Sequence, residues 1–393
     1  MNLSILNTDI QEFINTHLNS SVTALVLKGT PFPTVDTKEL IEQIEAKSRC
    51  EKKLPTWFNT KNIYYPNKLN IEQTSSEITA KYKSRLISGD SIIDLTGGFG
   101  VDCYFFSKVF KTVVHCEINE SLSEIVNHNY AQLHVNNIET INNDGIAFLK
   151  SSTTTFDWIY IDPSRRHDSK GKVFFLNDCL PNVPAHLDLL FKHSKNILIK
   201  TSPLLDLSVG CNELKHVKTI HVVAVNNEVK ELLWTLEFGF EGDLLIQTIN
   251  IKNQGEDQFN FSMEDEKSME SEYSEPQTYV YEPNSAILKA GGFNAIANQL
   301  NVYKLHKHSH LYTNNTLIDF PGRRFEVLNV LPYNKKALKN LNLAKGNIST
   351  RNFPETVEQL RKKLKIKDGG NHYLFFTTDL HDNKIVLITT KAD

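Results

Sequence analysis

The chain has 393 residues, of which 40% are hydrophobic and 23% charged, and its formal net charge is -3. A chain of this length is too long for a single hydrophobic core. Its length therefore predicts two or three domains, each with a buried interior. The overall charge excludes a strong general attraction to nucleic acid. The segment from Pro321 onward is nevertheless basic, with 14 Lys and Arg against 7 Asp and Glu.

The candidate metal and disulfide residues are scattered. Neither a disulfide framework nor a zinc site is predicted, because no CxxC pair occurs among the five cysteines: Cys50, Cys103, Cys116, Cys179 and Cys211. His306, His308 and His310 alternate as on one strand face, but no acidic or thiol residue lies near them in sequence, so no metal is expected.

No signal sequence and no apolar run long enough to span a bilayer is present, which predicts a cytoplasmic protein with no membrane partner.

The first 74 residues show mostly helical periodicity and predict an N-terminal helical region, 1–74. Short apolar runs then alternate with helical segments, as expected for strands buried on both faces of a parallel sheet, at 91–95, 112–116, 156–161 and 196–201. Runs at 219–225 and 232–240, joined by the polar residues 226–230, predict a hairpin that brings in an antiparallel last strand. The fold class predicted for 75–252 is therefore α/β, a Rossmann-like, mostly parallel sheet of seven strands.

The remaining third of the chain predicts a linker and two small α+β domains. Residues 253–277 are rich in acidic and polar side chains and are interpreted as an acidic linker. Residues 278–320 contain one helix, at 285–300. Residues 321–393 have the order strand, helix, strand, helix, strand, strand, with an amphipathic helix at 356–364 and a terminal hairpin of 373–378 and 384–389.

A glycine-rich turn follows the first predicted strand. The strand ends in Asp94 and runs into Thr96-Gly-Gly-Phe-Gly100 and then a helix, a layout that brings bare backbone close to a ligand. A dinucleotide site requires G-x-G-x-x-G, which Cys103 breaks. The Asp94 carboxylate would repel a pyrophosphate but would hold an ammonium, and this favours a methionine-derived cofactor.

Two more acids end successive strands. Glu117 ends the second strand, where a carboxylate accepts hydrogen bonds from ribose hydroxyls, and Asp144 follows the third, where it would accept from an adenine amino group. Spaced acids of this kind define a crevice for a nucleoside with a charged tail. The predicted cofactor-binding set is Asp94, Thr96, Gly97, Gly98, Phe99, Gly100, Glu117, Ile118, Asp144, Gly145, Asp162 and Pro163.

The fourth strand ends in the sequence DPSRR, residues 162–166. Asp162 is suited to orienting an amino or hydroxyl nucleophile, and Arg165 and Arg166 are suited to gripping a phosphate or stacking on a base. These three residues are the predicted catalytic set. Lys200 and Ser202, at the end of the next strand, are predicted to contact the substrate.

Taken together, these segments resemble class I S-adenosylmethionine-dependent methyltransferases over 72–251. Further segments resemble a bacterial methyltransferase family with ferredoxin-like and C-terminal THUMP-like domains: QTSSEITA at 73–80, DPSRR at 162–166, YEPN at 281–284, DFPGRR at 319–324 and RNFP at 351–354. The resemblance implies S-adenosylmethionine as cofactor, a ferredoxin-like domain at 278–320, a THUMP-like domain at 321–393 and an RNA substrate, since THUMP domains bind RNA.

The sequence around Asp162 departs from two related groups of enzymes. Base amine methyltransferases usually read Asp/Asn-Pro-Pro-aromatic, whereas Ser164 and Arg165 stand here. Uridine carbon-5 methyltransferases need a nucleophilic cysteine later in the chain, and neither remaining cysteine lies in a recognisable motif.

The hypothesis drawn from the sequence is an RNA methyltransferase whose basic C-terminal residues dock the RNA backbone: Arg361, Lys362, Lys363 and Lys365. A methyltransferase acting on a protein or small molecule is the first alternative. A non-catalytic RNA-binding protein with a vestigial methyltransferase fold is the second.

Overall fold

The computed structural model describes residues 1–165, 175–339, 341 and 343–392, and of Arg165 and Lys339 it describes the backbone alone. The chain divides into two compact units. The first is Met1–Val217 with Trp234–Phe240, and the second is Lys218–Leu233 with Glu241–Asp393. Within the described ranges, no helix combines the length and the apolar character needed to cross a membrane.

The elements of the first unit follow in chain order. Its helices are α1 (Thr8–Thr16), α2 (Val22–Lys28), α3 (Thr37–Lys53), α4 (Pro55–Asn59), α5 (Lys68–Gln73), α6 (Glu77–Leu86), α7 (Val101–Phe106), α8 (Glu120–Gln132), α9 (Gly145–Ser151), α10 (Val183–His193) and α11 (Leu207–Glu213). Its strands are β1 (Ser91–Asp94), β2 (Thr112–Glu117), β3 (Ile138–Asn142), β4 (Trp158–Ile161), β5 (Ser164–Arg165), β6 (Cys179–Leu180) and β7 (Asn196–Thr201).

The second unit continues the chain. Its strands are β8 (Val217–Val225), β9 (Glu228–Glu237), β10 (Leu245–Ile251), β11 (Glu256–Ser262), β12 (Tyr279–Pro283), β13 (Tyr303–Lys304), β14 (Tyr312–Asn314), β15 (Gly322–Pro332), β16 (Asn347–Thr350), β17 (Tyr373–Thr378) and β18 (Lys384–Lys391). Its helices are α12 (Met263–Ser268), α13 (Ser285–Ala290), α14 (Phe293–Gln299), α15 (Lys335–Lys339) and α16 (Val357–Leu364). Strand β9 belongs to the second unit up to Leu233 and to the first unit from Trp234.

The N-terminal region is helical, as predicted. Helix α3 buries an apolar face that includes Leu40, Ile41 and Ile44, at the three- and four-residue spacing of an amphipathic helix. Pro55 stands at the first turn of α4, where its missing N–H leaves no hydrogen bond unmade. This local chemistry explains why the periodicity of the sequence is a reliable guide here.

A parallel sheet forms the centre of the first unit. Its strands lie in the order β7-β4-β1-β2-β3, and each of these neighbours pairs in parallel. Ile92, Ile93, Ile159 and Ile161 are fully buried, which fits continuous apolar strands covered on both faces. Because all these strands run in one direction, their carboxyl ends lie along the same edge of the sheet.

The predicted hairpin is present with a shorter joint. Asn226 and Asn227 have φ of 49° and 65°, which is the two-residue turn that joins twisted antiparallel strands. The predicted joint 226–230 was therefore too long, because β9 begins at Glu228. The predicted α/β class is confirmed, with a mostly parallel sheet and an antiparallel strand. Strands β10, parallel to β8, and β11, antiparallel to β10, add to the seven predicted strands.

The interpretation of 253–277 as a linker was wrong, since this segment holds β11 and α12. The side chain of Glu266 accepts hydrogen bonds from the backbone N–H groups of Phe293, Asn294 and Ala295, at 2.7–3.0 Å. Its carboxylate therefore caps α14. One acidic side chain of this segment therefore caps a helix that is distant in sequence. Composition alone does not distinguish such a segment from a solvated linker.

The single helix predicted at 285–300 is two helices. Helix α13 ends at Gly291, whose φ of 79° lies in the left-handed region, and α14 begins after Gly292. The order predicted for 321–393 is confirmed element by element, including the amphipathic helix and the terminal hairpin. The two predicted C-terminal pieces share one sheet, in the order β13-β14-β12-β15-β18-β17-β16.

Gly210 in α11 offers a test of packing in the first unit. A Cβ at Gly210 would lie 2.3 Å from the ring of Trp234, which is fully buried and donates to Thr201 Oγ1 at 3.0 Å. We expect Gly210→Ala to destabilise the protein by about 1–3 kcal/mol despite the better helix propensity of alanine. Chemical unfolding measures this. The double variant Gly210→Ala/Trp234→Phe removes the clashing atoms, so additive losses would contradict the packing explanation.

Candidate active site

The ends of the parallel strands bring the predicted acids to one edge. Asp94 ends β1 and lies beside His115 of β2 and Tyr160 of β4 in the sheet register. Glu117 ends β2 beside Asn142 of β3, and Asp162 directly follows β4. Three of the predicted site residues are therefore held by rigid neighbouring strands.

The turn after β1 is fixed by backbone geometry. Gly98 and Gly100 have φ of 54° and 78°, a region that favours glycine. The Gly97 N–H donates to the carbonyl of Cys116 at 2.8 Å, and a Cβ at Gly97 would lie 2.2 Å from Nε2 of His115. Gly97 is therefore required by the close approach of the buried His115 ring, which sequence reasoning did not identify.

Asp94 is buried beneath this turn. Its Oδ1 accepts the Thr96 N–H at 2.8 Å and the Thr96 hydroxyl at 3.2 Å, and its Oδ2 accepts the Cys103 thiol at 3.4 Å. Burial raises the pKa of Asp94 to about 7; the Thr96 N–H opposes this, and the charges of Asp102 and Asp162 add to it. A thiol is a weak donor, so Oδ2 keeps the capacity to accept a stronger one.

Glu117 is oriented by backbone donors. Gly98 N–H donates to its Oε2 at 2.9 Å and Asn119 N–H to its Oε1 at 2.7 Å. The amide of Asn142 donates to the backbone carbonyl of Glu117 at 3.0 Å. Beside it the apolar side chain of Ile118 is 71% exposed. A fixed carboxylate next to an exposed apolar side chain suits a ribose joined to a flat base.

Asp144 and Gly145 complete this part of the edge. Asp144 is exposed and caps α9 by accepting the Ala147 N–H at 2.8 Å, which gives it a structural role in addition to any ligand contact. Gly145 approaches the backbone of Leu95 so closely that a Cβ would lie 2.5 Å from its carbonyl oxygen. Phe99 is buried, with its ring 6.2 Å from that of Trp57, so it supports the turn from inside.

Asp162 is linked both to the glycine turn and to β7. Its N–H donates to Thr96 Oγ1 at 2.7 Å, so Thr96 connects the ends of β1 and β4. Its Oδ2 accepts from Lys200 Nζ at 2.5 Å in an ion pair whose side chains are 29% and 16% exposed. Of the two residues predicted to contact substrate at the end of β7, Lys200 therefore contacts Asp162. Ser202 accepts the Leu204 N–H at 3.2 Å and stabilises its own turn.

The segment after Asp162 is described only in part. Pro163 is buried, and Ser164 lies in β5, which pairs with Leu180 of β6 in an antiparallel bridge. Arg165 is described through its backbone alone, and Arg166 lies outside the described residues. The predicted catalytic role of the two arginines stays a prediction.

A buried ion pair close to the turn was not predicted. Lys83 of α6 is fully buried, and its Nζ lies 3.0 Å from Asp102 Oδ1 and 2.8 Å from the Ser75 hydroxyl. Asp102 also accepts hydrogen bonds from Ser75 at 2.8 Å and from the Tyr160 hydroxyl at 3.0 Å. Ser75 lies in the 73–80 motif, and a lysine three residues after Ala80 on the buried face of α6 was the available signal.

The C-terminal residues predicted to dock RNA divide into two kinds. Arg361 contacts Asp368 and donates to the carbonyl of Gly346 at 3.2 Å. Lys363 donates to the Tyr333 hydroxyl at 2.7 Å and to Glu355 at 3.0 Å. Lys362 and Lys365 are exposed. Arg361 and Lys363 thus serve contacts within the second unit.

The structure also corrects the histidine pattern. Residues 306–310 form a turn and not a strand, because β13 ends at Lys304 and His310 has a φ of 50°. Among the residues that the structure describes, no group of three or more His, Cys, Asp or Glu side chains is placed to hold a metal ion.

Comparison with known proteins identifies similar domains and a solved structure that is similar over nearly the whole chain. Residues 279–321 match the model of a ferredoxin-like domain, and residues 322–391 match a THUMP domain-like model. The crystal structure described as "putative methyltransferase from Porphyromonas gingivalis W83" is 33% identical, with a TM-score of 0.89, over 99% of this chain and 98% of that one. No curated protein matches.

Two other solved structures match a smaller part of the chain. An rRNA methylase from Streptococcus thermophilus is 14% identical over 41% of this chain and 93% of its own, with a TM-score of 0.31. A methyltransferase from Streptococcus mutans in complex with SAH, also described as putative, is 15% identical over 41% and 96%, with a TM-score of 0.31. Likeness at this level carries no conclusion about function.

The buried pair of Lys83 and Asp102 gives a test of what holds the site together. Lys83→Met leaves the Asp102 carboxylate buried without its cation, so we expect a loss of about 3–5 kcal/mol in unfolding free energy. Lys83→Met/Asp102→Asn removes both charges and should recover more than half of that loss. Urea unfolding of both variants measures the difference, and equal losses would show that the charges are not coupled.

Proposed function

Since the chain belongs to the bacterial family of methyltransferases with ferredoxin-like and THUMP-like domains, as the Porphyromonas gingivalis protein does, we propose that it uses S-adenosylmethionine to methylate RNA in the cytoplasm. One observation carries the cofactor assignment. The Glu117 carboxylate is held by the N–H groups of Gly98 and Asn119 at a strand end, next to the exposed side chain of Ile118.

The residues at the edge fit the parts of this cofactor. Carboxylate oxygens accept more than one hydrogen bond each, so Glu117 can receive two ribose hydroxyls while its backbone donors keep it in place. Ile118 offers an apolar surface to the adenine, and the exposed Asp144 lies on the neighbouring strand end for the adenine amino group. Asp94, below the turn, supplies negative charge for the ammonium of the methionine moiety.

The acceptor side of the proposal rests on Asp162. When bound, the cofactor supplies an electrophilic methyl group on a sulfonium, and the protein has to align the acceptor and receive its proton. Asp162 sits on a rigid strand end, tied to Thr96 through its N–H and to Lys200 through its carboxylate. An acceptor N–H or O–H that donates to this carboxylate would be oriented in line with the methyl group.

RNA is the proposed acceptor for two reasons. Residues 322–391 match a THUMP domain-like model, and the same part of the chain carries the excess of Lys and Arg.

The free thiols also suit the proposed cytoplasmic location, since no disulfide joins the five cysteines, all of which lie in the described ranges.

Methyl transfer itself is the first test. The protein is incubated with methyl-labelled S-adenosylmethionine and separate pools of unmodified RNA, protein extract and metabolites. We expect label in the RNA pool. We expect Asp162→Asn to reduce the rate of methyl transfer about 10²- to 10⁴-fold, because the carboxylate that would receive the proton of the acceptor is lost. Label in the protein or metabolite pool alone would contradict the RNA assignment.

Asp157→Asn is the matched control for this variant. Asp157 immediately precedes β4, at the opposite end from Asp162, where its carboxylate accepts the N–H groups of Asp90 and Ser91 at 2.7 and 2.9 Å. The change is the same in chemistry but lies away from the carboxyl edge, so transfer should persist. Loss of transfer in both variants would mean that strand stability, and not Asp162, limits the rate.

The raised pKa of Asp94 predicts a pH dependence of cofactor binding. A cationic ammonium favours the ionised carboxylate, so below a pKa of about 7 binding has to displace a proton. Titration with S-adenosylhomocysteine should therefore give an affinity about tenfold weaker at pH 6 than at pH 8. In Asp94→Asn this pH dependence should disappear. An unchanged pH profile in the variant would remove Asp94 from the cofactor site.

A further inference from the structure

Three sequence segments that the methyltransferase site does not use converge in the second unit. They are YEPN at 281–284, DFPGRR at 319–324 and RNFP at 351–354. Glu282 of β12 lies directly opposite Arg323 of β15 in the sheet register, and Arg351 directly follows β16. The close strand contact requires Gly322, because a Cβ there would lie 2.1 Å from the carbonyl oxygen of Glu282.

One buried carboxylate holds both arginines. Arg323 Nε donates to Glu282 Oε2 at 2.6 Å, and Arg351 donates to Glu282 Oε1 at 2.5 Å. The Glu282 side chain is 4% exposed, whereas those of Arg323 and Arg351 are 42% and 35% exposed. The cluster therefore has two positive charges against one negative charge, and both arginine side chains stay partly exposed to solvent.

This charge balance exceeds what a structural ion pair needs. One guanidinium neutralises Glu282, so the second is in excess, and both are held in fixed orientations by the shared carboxylate. Guanidinium groups are planar and bind phosphate oxygens through paired N–H donors. An arginine that is already oriented loses less side-chain entropy when it binds an anion.

A groove is lined mostly by residues that flank Arg351 in the sequence. It has a volume of about 470 Å³ and is lined by Thr350, Asn352, Phe353, Pro354 and Lys384. Lys384 adds a further cation, and Asn352 is exposed with its amide 3.0 Å from Nδ1 of His306. Phe353 is half-buried, with its ring 4.8 Å from that of Tyr333. A cation, an amide and an aromatic ring in one groove suit a strand that has both phosphates and bases.

We propose that Arg323 and Arg351, positioned by Glu282, form a binding site for a backbone phosphate of the RNA substrate, and that the groove beside Arg351 receives the adjoining nucleotide. The inference rests on the proposed RNA substrate and deepens it. It assigns RNA contact to residues other than the predicted Arg361, Lys362, Lys363 and Lys365.

The test measures binding of the full chain to a fluorescein-labelled, mixed-sequence, 20-nucleotide single-stranded RNA by anisotropy between 50 and 200 mM salt. A single arginine variant would leave Glu282 charged, buried and underpaired, so the comparison is made in a Glu282→Gln background. Glu282→Gln keeps both arginines and is the reference for the double variants. Adding Arg351→Gln or Arg323→Gln should weaken binding several-fold and reduce the log–log salt slope by about 0.7, the value for one phosphate contact on a single strand.

Lys267→Gln is the charge-matched control. Lys267 lies in α12 of the same unit, and its side chain is 65% exposed. The change removes one positive charge away from the cluster, so it should leave both affinity and salt slope nearly unchanged. An equal effect of Lys267→Gln would show a response to net charge alone and would overturn the phosphate site.

The remaining outcomes separate the two proposals. If the natural chain binds this RNA but the double variants keep the affinity and slope of Glu282→Gln, the phosphate site is wrong and the RNA substrate stands. If the natural chain binds neither this RNA nor a hairpin RNA, while calorimetry still shows S-adenosylhomocysteine binding, both the RNA substrate and the phosphate site fail and the methyl donor site stands.

Discussion

The short turn after β1 joins the ends of three parallel strands, and the rest of the site depends on it. The hydroxyl of Thr96 donates to Asp94 and accepts from the Asp162 N–H, while Gly97 and Gly98 donate to Cys116 and Glu117. The ends of β1, β2 and β4 are therefore all positioned by Thr96, Gly97 and Gly98. A ligand that touches Glu117 and an acceptor that touches Asp162 are held in register by one piece of backbone.

The charged groups around this turn differ in how firmly burial and pairing fix their charge. Asp94 is enclosed, and burial raises its pKa to about 7, so it carries a full charge most readily when a cation is near. His115, below Gly97, is also enclosed, and burial lowers its pKa to about 4, which keeps its ring neutral at physiological pH. The pair of Lys83 and Asp102 supplies a fixed, balanced charge beside them. Of these three, Asp94 is the group whose charge would respond to a bound cation.

Much of this arrangement was predictable, because it is local in sequence. The first strand ends in an acid and runs into glycines, and further strands also end in acids. This pattern identifies the edge of the sheet at which the strand ends meet, whatever other elements surround it. The partners of that edge were not predictable in this way: Lys83 meets Asp102 from a separate helix, and Lys200 meets Asp162 from a separate strand. Composition also misled at 253–277, where Glu266 caps a helix that begins 27 residues later.

The second unit shows the same contrast. The order of strands and helices from Pro321 onward was predicted correctly, since each element has a clear period and clear ends. The meeting of Glu282, Arg323 and Arg351 was not, because these residues lie up to 69 positions apart and only the shared sheet brings them together. The three short motifs were visible in the sequence, but their meeting around one buried carboxylate was not.

The most direct test of the cofactor site is a crystal structure of the protein grown with S-adenosylhomocysteine. We expect the ribose hydroxyls on the Glu117 carboxylate, the adenine against Ile118 and the amino-acid end over the turn from Thr96 to Gly100. Density for the ligand at another place in the chain, or none at this edge at saturating concentration, would contradict it.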